Sequence, residues 1–150
     1  MQLSRMGQDQ VRAEVAGFLD RARHASAQGD FAVASSLYAS PTILIAADAT
    51  TLLNDKDALH AHLEGLAAIS TAATPPIWHQ EVLDVQVIND VFAVVTAAVH
   101  RIDSRAKPQP PQHQSLTLRR DQEGFRFVAI TNPIKSGYWK EHAPEGTEND

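Results

Sequence analysis

The sequence predicts an α+β domain, and three observations predict it. Apolar residues recur at helical spacing early in the chain, strand-like runs separated by turn residues fill its second half, and the composition is that of an ordinary globular protein, with 43% hydrophobic and 21% charged residues. At 150 residues the chain has the usual length for one domain, and such a domain buries roughly 68 to 70% of the surface its unfolded form exposes. A core therefore forms without covalent staples.

In the first helical segment Val11, Val15, Phe18, Leu19, Ala22 and Ala25 share one stripe, and Gly29 supplies a natural stop. Asp30 reads as the N-cap of a short second helix on which Phe31, Ala34, Leu37 and Tyr38 share a face, with Pro41 preventing continuation. Residues 42–46 are too few for a helix and pair with 50–53 in a small hairpin around Asp48. Asn54 and Asp55 then cap a third helix that carries Leu59, Leu63 and Leu66 on one face and runs to Ser70, ahead of Pro75 and Pro76.

Beyond the prolines the period changes. Residues 77–88 and 91–102 read as two long strands joined by Asn89 and Asp90, which tolerate a tight turn. A polar loop with Pro108, Pro110 and Pro111 leads to a strand at 113–120, a turn at Glu123 and Gly124, and a last strand at 125–131. Residues 1–137 thus form one domain, and 138–150, ending EHAPEGTEND, a mobile acidic tail.

The strand VFAVVTAAVHRI is apolar at nearly every position, so both of its faces are expected to be covered. The three helices cover one. A second copy of the chain covers the other, which makes a homodimer through the sheet face the expected assembly; the alternative cover is the loop at 103–112.

Several functions are excluded early. With no cysteine, the chain has no disulfides, thiolate metal sites or cysteine nucleophile, and it fits a cytoplasmic location. Its net charge of −5, with no basic cluster longer than Arg119 and Arg120, disfavours a nucleic-acid partner. Arg5, Asp9, Arg12 and Glu14 interrupt any signal-peptide core, and no run of about 18 apolar residues marks a membrane span. Without a glycine-rich phosphate loop, GxSxG or HExxH, no cofactor and no metal are expected.

The order of elements, and four stretches in particular, resemble the NTF2-like superfamily, which includes SnoaL-like polyketide cyclases and ketosteroid isomerase. GDFAVASSLYASPTILI is similar to its second helix and first strand, and LLNDKDALHAHLEGL to the following strand and third helix. HQEVLDVQVINDVFAVVTAAVHR and SLTLRRDQEGFRFVAITN are similar to its central hairpin and final strand pair. The resemblance implies a cone: three N-terminal helices packed on a curved, mainly antiparallel sheet, with an apolar pocket between them and often a dimer. It also implies where acid–base residues would stand. Isomerase-like members carry an Asp near the end of the first strand, where this chain has Ile43, Leu44, Ile45, Ala46 and Ala47 before Asp48; many SnoaL-like members carry a His after the last strand's aromatic residue, where this chain has Thr131 and Asn132. Neither departure leaves a group that shuttles protons near neutral pH.

Among seven histidines His100 is the best catalytic candidate, because it ends an apolar strand and a histidine at a pocket rim titrates near physiological pH. A strand-end histidine equally marks the return to solvent. Thr96 shares its strand face and needs a hydrogen-bond partner if buried. Tyr38 and Trp78 offer amphipathic rings for a ligand cavity, or plain core. His60 and Glu64, four apart, read as a helix-surface pair rather than a metal site; His62 lies beside the apolar stripe, and His79 alternates with Trp78. His113, Ser115, Thr117 and Arg119 make a polar strand face, while Asp84 is expected to share a face with Val82 and Gln86.

The leading expectation is a binding domain that holds a small apolar or amphipathic molecule in its cone, through Tyr38, Trp78, Thr96, His100 and Thr131. The alternative is an isomerase, cyclase or dehydratase using His100 with Thr131 or Tyr38. A third reading is a protein-interaction module that presents its sheet face to a different chain.

Overall fold

The helix stop at Gly29 is built as its position suggests: the residue takes a left-handed φ of 67°, and the Asp30 N–H closes on the Ala25 carbonyl at 3.0 Å. In the computed structural model, which describes residues 5–70, 77–102 and 110–132, this glycine ends α1 (Arg5–Gln28). Asp30 then caps α2 (Phe31–Ser36) by accepting from the Val33 N–H at 3.1 Å. Next come β1 (Tyr38–Ile45), β2 (Thr50–Leu53), α3 (Lys56–Ser70), β3 (Ile77–Val87), β4 (Phe92–Ile102), β5 (Gln112–Asp121) and β6 (Gly124–Thr131). Asp55 caps α3 through the Ala58 N–H at 2.8 Å. The tail 138–150, Pro75, Pro76 and the loop 103–109 lie outside the described residues, and no helix among the described residues is long and apolar enough to cross a membrane.

Two expectations about α2 need correction. Tyr38 is not on the helix, and Pro41 does not end it. The helix stops at Ser36, where Ser35 Oγ donates to the Phe31 carbonyl and Ser36 Oγ to the Val33 carbonyl, each at 2.6 Å. Such local hydroxyl bonds compete with helix continuation, and they leave Tyr38 as the first residue of β1.

The strands form one curved six-stranded sheet in the order β2-β1-β6-β5-β4-β3, antiparallel throughout except where β1 runs parallel to β6. The expected short hairpin is β1–β2, with Ile45 opposite Thr50, and the expected meander is β3 to β6. The parallel seam joins them. There the Phe127 N–H donates to the Leu37 carbonyl at 2.9 Å, and the fully buried Thr42 hydroxyl lies within hydrogen-bond distance of the Ala39 and Phe127 carbonyls. The β3–β4 turn is longer than expected, because Asn89 works through its side chain, its Oδ1 accepting from the Val91 and Phe92 N–H groups at 2.8 Å.

The helices cover one face of this sheet. Val11, Val15, Phe18 and Leu19 of α1 pack on Ala93 and Val95 of β4, Leu116 and Leu118 of β5, and Phe125 and Phe127 of β6. Phe18 is inaccessible and meets Phe127 edge-on at 4.9 Å between centroids; truncating a buried phenylalanine of this kind costs about 3–5 kcal/mol. Arg120 ties the N-terminal half of α1 to the sheet, through an ion pair with Glu14 and a guanidinium 4.6 Å from the Phe125 ring. A second cluster, Ala25, Ala34, Leu53, Leu59 and Leu63, seats α2 and α3 against β2.

β4 is not covered equally on its two faces. Ala93, Val95 and Ala97 on the helix side are fully buried, whereas Phe92 on the other side is 38% exposed and Thr96 is exposed. The β3 register also breaks between Val82 and Asp84, so Val82 pairs with Ala97 and Asp84 with Thr96. The bulge puts Asp84 on the opposite face from Val82, against the expectation that they share one.

On α3, His62 is half-buried, and desolvation lowers its pKa below the ordinary imidazole value. The folded chain resists a proton that the unfolded chain accepts, so this residue's contribution is present above about pH 6.5 and is lost as the pH falls below it. Thermal melts between about pH 7.5 and 5 are expected to show a shallower fall in Tm for His62→Gln than for the parent. Equal slopes would remove His62 from the acid response.

Candidate functional site

A cavity of about 580 Å³ lies between α1, the α2–β1 junction and the helix-facing side of the sheet. Its volume is in the range of small-molecule sites, roughly 300–1,000 Å³. Leu19 and Ala22 form one wall, and Val99, Leu116, Phe127 and Ile130 the other. The polar groups on it come from Arg23, Ser26, Tyr38, His79, Gln80 and Gln114.

Tyr38 is placed by the parallel seam. It stands opposite Phe127 in the β1–β6 ladder, with ring centroids 5.0 Å apart, and it borders both this cavity and a second one between α2, β1 and α3. Burial pushes its pKa up to about 12, because the phenolate would lose its hydration. Among the described residues no protein group bonds to its hydroxyl. At working pH it is a neutral donor with a free hydrogen.

The two glutamines reach across β4 from its neighbours. Gln80 pairs with Val99 and Gln114 with Ala97, whose methyl group leaves room above it. Gln80 Nε2 donates to Gln114 Oε1 at 2.7 Å, and Arg23 Nη1 of α1 donates to Gln80 Oε1 at 3.5 Å while also pairing with Asp20. Sequence reading missed all three. Gln114 was the legible one, since it precedes Leu116 and Leu118 on the strand face opposite His113, Ser115 and Thr117.

Of the five residues expected to bind ligand, Tyr38 borders the cavity. Thr96, His100 and Thr131 stand on the outer face of the sheet: Thr96 lies opposite Asp84 and Ser115, Thr131 opposite Ser115 and Ile45, and His100 opposite His79. The inward positions beside them belong to Val99 and Ile130. His100 Nε2 lies 3.1 Å from Glu81 Oε1, and its ring is 6.0 Å from that of His79, a residue at the cavity rim. The sheet thus separates His100 from Tyr38, its expected catalytic partner. Trp78 lies outside the residues whose side chains are described. His60 and Glu64 pair on the exposed surface of α3 at 2.9 Å, and no group of three metal-ligating side chains gathers among the described residues.

No protein-family model matches this sequence, and no curated protein matches it. Solved structures do. Aln2 from a Streptomyces species superposes with a TM-score of 0.67 at 17% identity, over 94% of this chain and 99% of that one. An NTF2-like protein with a cystatin-like fold from Novosphingobium aromaticivorans superposes at 0.63 with 18% identity, over 89% of this chain and 87% of that one. The fold is NTF2-like. A further NTF2-fold neighbour from Novosphingobium aromaticivorans, provisionally assigned as a scytalone dehydratase, has a TM-score of 0.67 at 13% identity, over 86% of this chain and 87% of that one. At such identities the likeness carries the NTF2-like fold and not the chemistry of any one member.

The chain has two tyrosines, Tyr38 and Tyr138. In a Tyr138→Phe background, alkaline titration of phenolate absorbance is expected to lag well behind free tyrosine, with a midpoint near 12. A folded pKa raised above the unfolded one stabilises the protein fully below about pH 10 and is lost as pH rises toward it, so unfolding should accompany this step. A midpoint at the ordinary tyrosine value would contradict the buried setting of Tyr38.

Proposed function

We propose that this chain is a small-molecule binding domain that holds an apolar or amphipathic ligand between α1 and the inner face of its NTF2-like sheet. The observation that carries this reading is the cavity of about 580 Å³ itself, apolar on two walls with a few convergent polar groups. Its absence of cysteine favours a cytoplasmic setting. A dehydratase or isomerase reading draws on the neighbour provisionally assigned as a scytalone dehydratase. The side chains bordering the cavity favour holding over conversion: Tyr38 keeps its proton to about pH 12, and His100 stands across the sheet.

The fluorescent probe 1-anilinonaphthalene-8-sulfonate is expected to bind the full chain with a blue-shifted, enhanced emission. Ala22→Phe, which places a ring in the cavity wall, should weaken that binding roughly tenfold while leaving the fold's circular dichroism unchanged. A parent protein that leaves the probe dark, or equal binding by the variant, would overturn the reading.

We also propose that a second copy of the chain packs on the outer sheet face. Phe92 is exposed there, with Ile43, Ile45 and Leu52 on the same face toward the other sheet edge, around a polar centre at Thr96, Ser115 and Thr117. Light scattering at micromolar concentration should give a dimer mass for the parent and a monomer mass for Thr96→Arg. A monomeric parent would end the proposal.

A further inference from the structure

The polar wall of the cavity has a direction. Arginine can only donate hydrogen bonds, so the contact of Arg23 Nη1 with Gln80 Oε1, at 3.5 Å and on the exposed side, favours the orientation in which Gln80 turns its carbonyl oxygen to Arg23 and its NH₂ group away. That NH₂ group meets Gln114, which must therefore present its own oxygen, as the 2.7 Å contact from Gln80 Nε2 to Gln114 Oε1 records. Each amide fixes the next. The end of the relay is the Gln114 NH₂ group, on a side chain that borders the cavity and meets no other polar partner among the described residues.

The second free group on this cavity has the same sign, since the Tyr38 hydroxyl also has a hydrogen and no protein acceptor among the described residues. Ser26 and the imidazole of His79 at the rim adapt either way. A donor that a bound ligand shuts from water without matching costs about 1–3 kcal/mol, so a ligand that brings an acceptor is favoured over an isostere that does not.

We propose that the cavity selects ligands that carry an acceptor oxygen, a carbonyl or carboxylate, on an otherwise apolar body, held by the amide N–H of Gln114 and the hydroxyl of Tyr38. Arg23 and Gln80 are positioning residues, which act by fixing the orientation of Gln114. This rests on the binding reading above and adds to it the chemical class of the ligand.

The test compares two molecules of matched shape, 2-acetylnaphthalene and 2-ethylnaphthalene, on the full chain by titration calorimetry or ligand-observed NMR. The parent should prefer the acetyl compound by about tenfold, and Gln114→Leu, which leaves Tyr38 as the remaining proposed donor, should narrow that preference to about threefold or less. Arg23→Glu gives a sharper result, because a carboxylate must accept: it would reverse Gln80, then Gln114, and present an oxygen to the cavity. This variant, at an exposed position, should narrow the preference for 2-acetylnaphthalene and bind the donor 2-naphthol more tightly than the parent does, a change that loss of packing would not produce. It carries the decision should Gln114→Leu fail to fold. Equal affinity of the parent for both molecules, or a preference that survives both variants undiminished, overturns the donor-wall proposal and leaves the cavity reading standing. Binding of neither molecule overturns both.

Discussion

Phe127 is the contact on which the arrangement depends, because three parts of the chain that are distant in sequence meet there. Its backbone accepts Thr42 and donates to Leu37, which fastens β1 beside β6 across 85 residues of sequence. Its ring packs against Phe18 of α1 and Tyr38 of β1. The α1 stripe thereby sits on the meander, and the phenol of Tyr38 is held at the cavity wall by the same residue that closes the core. Non-local seams of this kind are costly in loop entropy and are repaid only when several contacts form together, which is why the seam combines backbone pairing, a buried hydroxyl and two ring contacts.

Much of the architecture was legible because local signals agreed with the fold. Gly29, Asp30 and Asp55 end or begin helices by capping geometry that their types alone suggest, and the stripe Val11, Val15, Phe18, Leu19 is the buried face of α1. The parallel seam was not legible. No pattern within residues 38–45 says which distant strand they will meet, and the serine bonds that stop α2 before Tyr38 compete with a helical preference that the residues on either side also support. Asn89 gave the position of a turn but not its length, because its side chain can substitute for a backbone partner.

The candidate site was legible only in part, for a reason specific to sheets. A strand apolar on both faces conceals its parity, and moving one residue along it exchanges cavity for outer surface. β4 is such a strand: Val99 faces the cavity and His100 does not. Register breaks beside Leu83 in β3 and Val128 in β6 add a second uncertainty to sequence reading, since each reverses the alternation beyond it. The polar face of His113, Ser115, Thr117 and Arg119 did carry the parity of β5, and by exclusion it pointed Gln114, Leu116 and Leu118 inward. A half-buried glutamine beside leucines is the kind of local conflict that marks function rather than stability.

The same comparison bears on what an NTF2-like fold retains when its chemistry changes. Where isomerase-like members place an aspartate, near the end of the first strand, this chain has Ile43, Leu44 and Ile45, of which Leu44 packs into the α2–α3 cluster. Near the end of the last strand, Thr131 faces outward, and Asn132 donates its backbone N–H to the Ile45 carbonyl at 2.7 Å. Both positions serve the seam between β1 and β6 instead of a proton. Two of the polar groups that reach the cavity are held in place by other polar groups, Arg23 behind Gln80 and Gln80 behind Gln114. An arrangement of fixed dipoles orients a bound acceptor oxygen well and moves protons poorly, and on the proposed binding reading that contrast, more than the shared cone, would distinguish this cavity from the acid–base sites its fold also supports.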